Sequence, residues 1–219
     1  MKIKAVLFDM DGVLVNSMPI HLTAFQQILS PYGATISLSE IAGKSTRSIL
    51  SEVLGKSKNS PELERLVTRK TELSIELMRA EGRNLLRPQA IEILDYASAR
   101  YLTALCTSAS ANSTAFVLEE LIPPTYFDAI VNSAMVAHSK PSPDIYEMAT
   151  RLLSVTPKDC LVIEDSWSGA VAANRAGCHV ALIGMCQSQP IGSFDAIVTE
   201  SLSDIRDLLE LWSMQDHAT

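Results

Sequence analysis

Short runs of apolar residues recur along the chain, and each run is bounded by polar, glycine or proline residues. Runs of this kind are typical of strands that are buried on both faces of a sheet. They cover residues 3–8, 102–106, 129–131, 160–163, 180–183 and 196–198. Helical periodicity follows most of them, at residues 111–121, 144–153, 169–176 and 203–212. This alternation predicts an α/β fold with a parallel sheet and helices on both of its faces.

The interval from residue 15 to residue 88 differs from the rest, because its apolar spacing is helical and it contains no convincing strand. The predicted helices cover residues 20–29, 38–42, 46–54 and 61–80. Gly82 and Pro88 follow the last of these helices and mark its end. The sequence therefore predicts a helical insertion between the first and second strands.

Polar residues with reactive or charged side chains follow four of the predicted strands. They are Asp9 and Asp11 after the first strand, Thr107 and Ser108 after the second, Lys140 beyond the third, and Glu164 and Asp165 after the fourth. Ligands of open parallel sheets bind beyond the carboxyl ends of the strands. We therefore expect these side chains to converge on one cleft.

This set of side chains suits phosphate chemistry. Asp9 and Asp165 offer hard oxygen ligands of the kind that Mg²⁺ prefers, and Lys140 offers a positive charge for an anion. The free N–H groups at the start of the helix after the second strand add an anion site. A central carboxylate can act as a nucleophile and form an aspartyl-phosphate, and Asp9 is the candidate. Asp11 is the candidate general acid/base.

Each of these pieces also has an ordinary structural explanation when it is taken alone. The two aspartates of residues 9–11 fit a solvated turn after a strand, and Lys140 fits a surface loop. Residues 164–165 fit the acidic start of a helix, and residues 107–108 fit a helix cap. Their order, each at the end of a strand, favours the joint interpretation as a phosphate site.

Composition and charge narrow the classes of function. Hydrophobic residues make up 47% of the chain and charged residues 20%, which excludes a disordered, collagen-like or coiled-coil protein. A net charge of −7 argues against a nucleic-acid partner. Without a run of 18 apolar residues no membrane span is expected. The four cysteines show no CxxC spacing, and the N-terminus lacks the apolar stretch that is typical of a secretory signal. Together these two observations predict a cytoplasmic protein.

Four motifs in this order resemble those of the haloacid dehalogenase superfamily. The first is Asp-Met-Asp-Gly at residues 9–12 after an apolar strand, and the second is the Thr-Ser pair at residues 107–108. The third is Lys-Pro-Ser-Pro-Asp at residues 140–144, and the fourth is Glu-Asp-Ser at residues 164–166. The resemblance covers nearly the whole chain. It implies a Rossmann-like parallel-sheet core domain, residues 1–14 and 89–219, with an inserted α-helical cap domain, residues 15–88.

The resemblance also implies roles for the residues in the motifs. Asp9 would be the nucleophile and a Mg²⁺ ligand. Asp11 would be the acid/base, and its backbone carbonyl would bind the ion. Asp165 would be the third protein ligand, with Glu164 in support, and Lys140 would hold the transferred phosphoryl group.

The hydroxyl group of the second motif has two possible positions. Thr107 is preferred because it directly ends the apolar run, and Ser108 is the alternative. Both are kept as phosphate-binding candidates. In the cap, the candidates for substrate contact are His21, Lys44, Thr46, Arg47 and Lys70, although Lys70 with its neighbour Arg69 also fits a solvated helix face.

Within the superfamily, the sugar-phosphate phosphatases and the β-phosphoglucomutases are the most similar groups. Mutases carry a lysine in the loop after the second motif, and residues 107–112 contain none. We therefore expect a Mg²⁺-dependent phosphatase of small phosphorylated metabolites, with sugar or polyol phosphates as the substrate class, acting as a monomer or small homo-oligomer. A mutase is the alternative, and a catalytically idle binding protein is a third hypothesis.

Overall fold

A six-stranded parallel sheet forms the centre of the computed structural model, which describes residues 2–41, 44–184 and 196–216. The strands are β1 (Ala5–Phe8), β2 (Leu102–Cys106), β3 (Ala129–Val131), β4 (Cys160–Glu164), β5 (His179–Ile183) and β6 (Ala196–Thr199). Their order in the sheet is β3-β2-β1-β4-β5-β6. The predicted strands are confirmed, with ends that differ by one or two residues.

Most of the helices connect successive strands along the chain, and the last one follows β6. They are α1 (Met18–Leu29), α2 (Leu38–Ile41), α3 (Thr46–Leu54), α4 (Pro61–Glu81), α5 (Ala90–Ser98), α6 (Ala111–Glu120), α7 (Asp144–Leu152), α8 (Trp167–Arg175) and α9 (Leu202–Asp216). The predicted helices are confirmed, although residue 42, the predicted end of α2, lies outside the described residues. Within the described ranges, no helix is long and apolar enough to cross a membrane.

Helix α5 was not among the predicted helices. Its N-cap residue is Gln89, which has a φ of 61° and makes no side-chain capping bond. Helices are recognised in a sequence by a Ser, Thr, Asp or Asn at this position, and that signal is missing here.

The order of the strands places β1 beside β4 where the direction of winding reverses. From β1 the chain builds β2 and β3 on one side, and it then returns to build β4, β5 and β6 on the other side. Phe8 pairs with Ile163, so the residues that follow them, Asp9 and Glu164, lie next to each other. Such a reversal opens a crevice at the carboxyl ends of the strands.

Both faces of the sheet are covered by helices, as predicted. Side chains alternate between the two faces along each strand. Val6 and Phe8 belong to one apolar cluster, which includes residues of α5, α6 and α9. Leu7 and Val162 belong to the other cluster, which includes residues of α7 and α8. The strands are therefore buried on both sides, which explains their continuous apolar runs.

Helices α1 to α4 form the inserted cap, which has an apolar cluster of its own that includes Phe25, Leu50 and Leu63. The chain passes between cap and core at Val15 and Leu86, which form an antiparallel bridge. The fold is therefore a Rossmann-like parallel-sheet core with an inserted α-helical cap. The domain limits at residues 14/15 and 88/89 stay a prediction.

Three cysteines lie in the apolar cluster that includes Leu7 and Val162. Cys106, Cys160 and Cys178 are buried free thiols. The fourth, Cys186, lies outside the described residues.

Candidate active site

Asp9 occupies the centre of the crevice, directly after β1. Its backbone N–H donates to the carbonyl oxygen of Ile163 at 3.0 Å, which continues the pairing of β1 with β4 past the end of the strand. The residue is only 6% exposed. The strand therefore fixes the position of a nearly buried carboxylate at the point where ligands of such sheets bind.

Lys140 joins Asp9 to the neighbouring strand β4. Its buried Nζ donates to Asp9 Oδ1 and to Glu164 Oε1, each at 2.5 Å, and to the carbonyl oxygen of Cys106 at 3.2 Å. Burial alone would lower the pKa of Lys140, but the charges of Asp9 and Glu164 outweigh burial and raise it above its ordinary range. Lys140 is therefore a fixed positive charge beside Asp9.

Glu164 uses both of its carboxylate oxygens within the protein. Oε1 accepts from Lys140 and, at 2.6 Å, from the hydroxyl of Tyr146. Oε2 accepts from the backbone N–H groups of Asp165 and Ser166, both at 3.2 Å, and from the Ser166 hydroxyl at 2.9 Å. The contact with Tyr146 was missed in the sequence, because a tyrosine inside a helix gives no sign of its distant partner.

A set of carboxylates suitable for a cation lies around Asp9. Asp9, Glu164 and Asp165 each offer an oxygen atom, and these atoms lie within 4.8 Å of one another. Burial, and then the charge of Glu164, raise the pKa of Asp165 to about 7. Burial also raises the pKa of Asp9, and the neighbouring acids add to this rise. A divalent cation bound here would offset this repulsion.

The donor set fits Mg²⁺, which takes one or two protein carboxylates together with waters and phosphate oxygens. Both oxygens of Glu164 already accept hydrogen bonds, so Glu164 would orient Lys140 and the residues after β4 without binding the ion directly. Asp9 and Asp165 are the carboxylates that remain to bind the ion. The assignment of these ligands stays a proposal.

Gly12 gives this carboxylate set the room that it needs. Its φ is 90°, and a Cβ atom added to it would lie 1.8 Å from Asp165 Oδ2. We expect Gly12→Ala to displace the Asp165 carboxylate and to weaken Mg²⁺ binding about 10- to 100-fold, the effect seen when groups that orient metal ligands are lost. Calorimetric titration with Mg²⁺ measures this effect.

Gly55→Ala is the matched control for this substitution. Gly55 has a φ of 62° and open space around the added Cβ, so it carries a similar backbone strain without the collision. Equal Mg²⁺ affinities for the two variants would contradict this function of Gly12.

Asp11 lies at the boundary between core and cap. Its Oδ1 accepts from the Ser17 hydroxyl and, at 3.2 Å, from Nε2 of His21. Burial alone would raise the pKa of Asp11, but His21, Ser17 and Lys70 outweigh burial and lower it. Asp11 is therefore an anion at neutral pH, ready to accept a proton.

Lys70 of α4 completes this chain of contacts from the cap side. Its Nζ lies 3.1 Å from Nδ1 of His21 and 4.4 Å from the centre of the Phe25 ring. Because Nε2 donates to Asp11, Nδ1 is the acceptor for Lys70 and His21 is neutral. Lys70 is 4% exposed, so it does not lie on a solvated helix face, whereas Arg69 beside it is exposed.

The burial of Lys70 has a consequence for stability. Burial lowers its pKa to about 8 in the folded protein, against an ordinary value of 10.5. Between these two values the unfolded chain holds a proton that the folded protein has lost, so the free energy of unfolding rises with pH. A tenfold change in proton affinity is about 1.4 kcal/mol, so the rise should be about 3 kcal/mol.

Urea unfolding from pH 7.5 to pH 10.5 tests this prediction by comparing the wild-type protein with Lys70→Met. We expect the stability of the wild type relative to the variant to increase across this window. Parallel pH profiles of the two proteins would contradict it.

The remaining cap candidates lie in two places. Lys44 and Thr46 line the same pocket as Asp9 and Asp11, and Lys44 also pairs with Glu52. Arg47 lines a neighbouring cleft, where it forms an ion pair with Glu64 and donates to the carbonyl oxygen of Lys58 at 2.9 Å. The structure thus places Lys44 and Thr46 nearer to the aspartates than Arg47.

Of the two residues in the second motif, Ser108 and not Thr107 lines the pocket that contains Asp9 and Asp11. Thr107 is fully buried, and its hydroxyl accepts from the backbone N–H of Ala109 at 3.0 Å. Ser108 lines the pocket together with Asp9 and Asp11. The geometry therefore does not support the preference for Thr107, since side chains of adjacent residues at a strand end point in different directions.

The pocket over Asp9 is small and opens into a wider space. Its cavity measures about 50 Å³, enough for a few water molecules. Thr46, Ser108 and Ser110 line both this pocket and an adjoining cleft of about 560 Å³ between cap and core. The small pocket therefore has room for a phosphoryl-sized group, and the adjoining cleft has room for the larger part of a ligand that carries it.

Comparison with known proteins identifies a matching family model and several similar proteins. The model of the haloacid dehalogenase-like hydrolases matches residues 3–177. A phosphorylated carbohydrates phosphatase of Thermotoga maritima is 33% identical over 80% of this chain and 82% of its own. A β-phosphoglucomutase of Bacillus subtilis is 28% identical over 95% of each chain. The crystal structure of a β-phosphoglucomutase from Clostridium difficile has a TM-score of 0.84 and 25% identity over 99% of each chain.

Proposed function

The chain belongs to the haloacid dehalogenase-like hydrolases, and from this premise we propose that it is a Mg²⁺-dependent phosphatase of small phosphorylated metabolites, with sugar or polyol phosphates as the substrate class. The observation that carries the proposal is the position of Asp9. Its carboxylate lies beside the buried charge of Lys140 and within 4.8 Å of the acids at the end of β4. Asp11 lies two residues away, at the boundary with the cap.

The proposed reaction has two steps. In the first, a carboxylate oxygen of Asp9 attacks phosphorus, and the bond from phosphorus to the substrate oxygen breaks. Asp11 enters this step with a proton that it has taken from solvent, gives that proton to the leaving oxygen, and is left as a carboxylate. In the second step, water attacks phosphorus, Asp11 takes a proton from that water, and the bond to Asp9 breaks with release of phosphate.

The surrounding residues hold the charges of this reaction in place. Lys140 and the hydroxyl of Ser108 would bind the phosphoryl oxygens. Mg²⁺, held by Asp9 and Asp165 with the backbone carbonyl of Asp11, would offset the charge that develops on those oxygens. His21 and Ser17 already donate to Asp11 and orient its carboxylate.

The cleft supports a hydroxylated substrate with one phosphate. Many of its lining side chains carry hydroxyl groups, among them Ser45, Ser48, Thr68, Thr71, Ser133 and Ser139. Such groups both donate and accept hydrogen bonds, which suits a sugar or polyol. Arg47 in the cleft is paired with Glu64, so its charge is already balanced. The relative named a phosphorylated carbohydrates phosphatase supports the same substrate class.

A phosphosugar mutase is the second candidate. The match to β-phosphoglucomutase over 95% of each chain favours it. A mutase must bind a second phosphate on the cap side, and two features argue against this: residues 107–112 contain no lysine, and Glu64 balances Arg47. We therefore keep the phosphatase as the first candidate. We also propose that the enzyme is cytoplasmic and is a monomer or small homo-oligomer.

Phosphate release from a panel of sugar, polyol and nucleoside phosphates, with and without Mg²⁺, tests the proposal. We expect release that requires Mg²⁺ and is fastest with a sugar or polyol monophosphate. Failure to release phosphate from any member would contradict it. Turnover of β-glucose 1-phosphate that requires a bisphosphate primer would establish the mutase instead.

A further inference from the structure

We propose that Tyr146 is a positioning residue, which holds Lys140 in place through Glu164. The proposal rests on the proposed phosphatase function. It gives a task to a side chain that none of the four motifs contains.

The contacts of Tyr146 are short and buried. The residue lies in the first turn of α7 and has no exposed surface. Its hydroxyl donates to Glu164 Oε1 at 2.6 Å, and the same oxygen accepts from Lys140 Nζ at 2.5 Å. The Lys140 Nζ also lies 5.2 Å from the centre of the Tyr146 ring. Tyr146 therefore contacts both members of the pair that borders Asp9.

The hydroxyl of Tyr146 limits how strongly Glu164 attracts Lys140. With it, Oε1 of Glu164 shares its charge between two donors. Without it, Lys140 becomes the only described donor to that oxygen, and no water reaches a fully buried site to replace the lost bond. We expect the ammonium group then to move toward Glu164, away from Asp9 and from the place of the phosphoryl group.

The local chain geometry couples these residues further. Lys140 and Tyr146 belong to one short segment, in which the Ser142 hydroxyl donates to Asp144 at 2.5 Å. The segment ends in the first turn of α7, and this helix contacts β2 and β3 of the sheet. The core thus fixes the position of Tyr146, and the hydrogen bond from its hydroxyl restrains the position of the Glu164 carboxylate.

Tyr146→Phe is the direct test, because it removes only the hydroxyl. We expect the affinity for inorganic phosphate in the presence of Mg²⁺ to fall about tenfold, the size of effect of a lost hydrogen bond to a charged group. We also expect kcat to fall more than KM rises, because the lysine is misplaced for the reaction itself. Tyr126→Phe is the matched control, since its hydroxyl donates to Asp95 at 2.7 Å far from the site.

A double-mutant cycle shows whether Tyr146 acts through Lys140. In a Lys140→Met background, Tyr146→Phe should cause no further loss of phosphate affinity. A full additional loss in that background, or wild-type phosphate affinity and turnover for Tyr146→Phe alone, would overturn the proposal. Failure of the proposed function is seen separately, as a wild-type protein that releases no phosphate.

Discussion

Asp9→Asn is expected to abolish phosphate release, with a loss in kcat on the order of 10⁴-fold or more, as is typical when a nucleophile is removed. An amide has nearly the shape of the carboxylate but cannot attack phosphorus to form an acyl phosphate. Its oxygen can still accept from Lys140, which keeps the local contacts. The loss should therefore be chemical and not structural.

The control for this variant is Asp207→Asn on the exposed surface of α9, which has the same change of side chain far from the crevice. We expect this control to keep wild-type turnover, and both variants to keep cooperative thermal unfolding. Phosphate release by Asp9→Asn within tenfold of the wild type would exclude Asp9 as the nucleophile.

Asp11→Asn is expected to lower turnover of a sugar phosphate by about 10²- to 10⁴-fold, the contribution of general acid–base catalysis. The amide oxygen can still accept from Ser17 and His21, so the cap contact should persist. Mg²⁺ binding should persist as well, because the proposed ligand is the backbone carbonyl of Asp11 and not its side chain.

The comparison of two substrates makes this prediction specific. An aryl phosphate such as p-nitrophenyl phosphate has a leaving group that departs without a proton. We therefore expect kcat/KM, which reports the first chemical step, to fall much less for the aryl phosphate than for the sugar phosphate. Equal losses for both substrates would show that Asp11 is not the acid of that step.

The fold was predictable because its signals are local. Strand β1 is apolar and is followed directly by Asp9, and β4 is apolar up to its last residue, Glu164, since both faces of the sheet are covered. The parallel topology then places those ends together, so the grouping of Asp9, Lys140 and Glu164 followed from the order of the motifs. Helix α5 was missed because its N-cap residue, Gln89, is not a Ser, Thr, Asp or Asn.

Parts of the site were not predictable because they depend on packing between distant segments. Lys70 and His21 meet across 49 residues, and the sequence alone fits a solvated helix face as well. The choice between Thr107 and Ser108 depends on the direction of each side chain at the end of β2. The bond from Tyr146 to Glu164 likewise depends on how α7 packs against the sheet.

The central claim is that Asp9 carries the phosphoryl group during turnover. Rapid acid quenching of the wild-type protein with Mg²⁺ and its best substrate, followed by digestion and mass spectrometry, measures this directly. The account predicts a phosphoryl group on the peptide that contains Asp9 during the first turnover, and none on the same peptide of Asp9→Asn. Phosphate release with that peptide unmodified throughout the first turnover, or with the phosphoryl group on another residue, would contradict it.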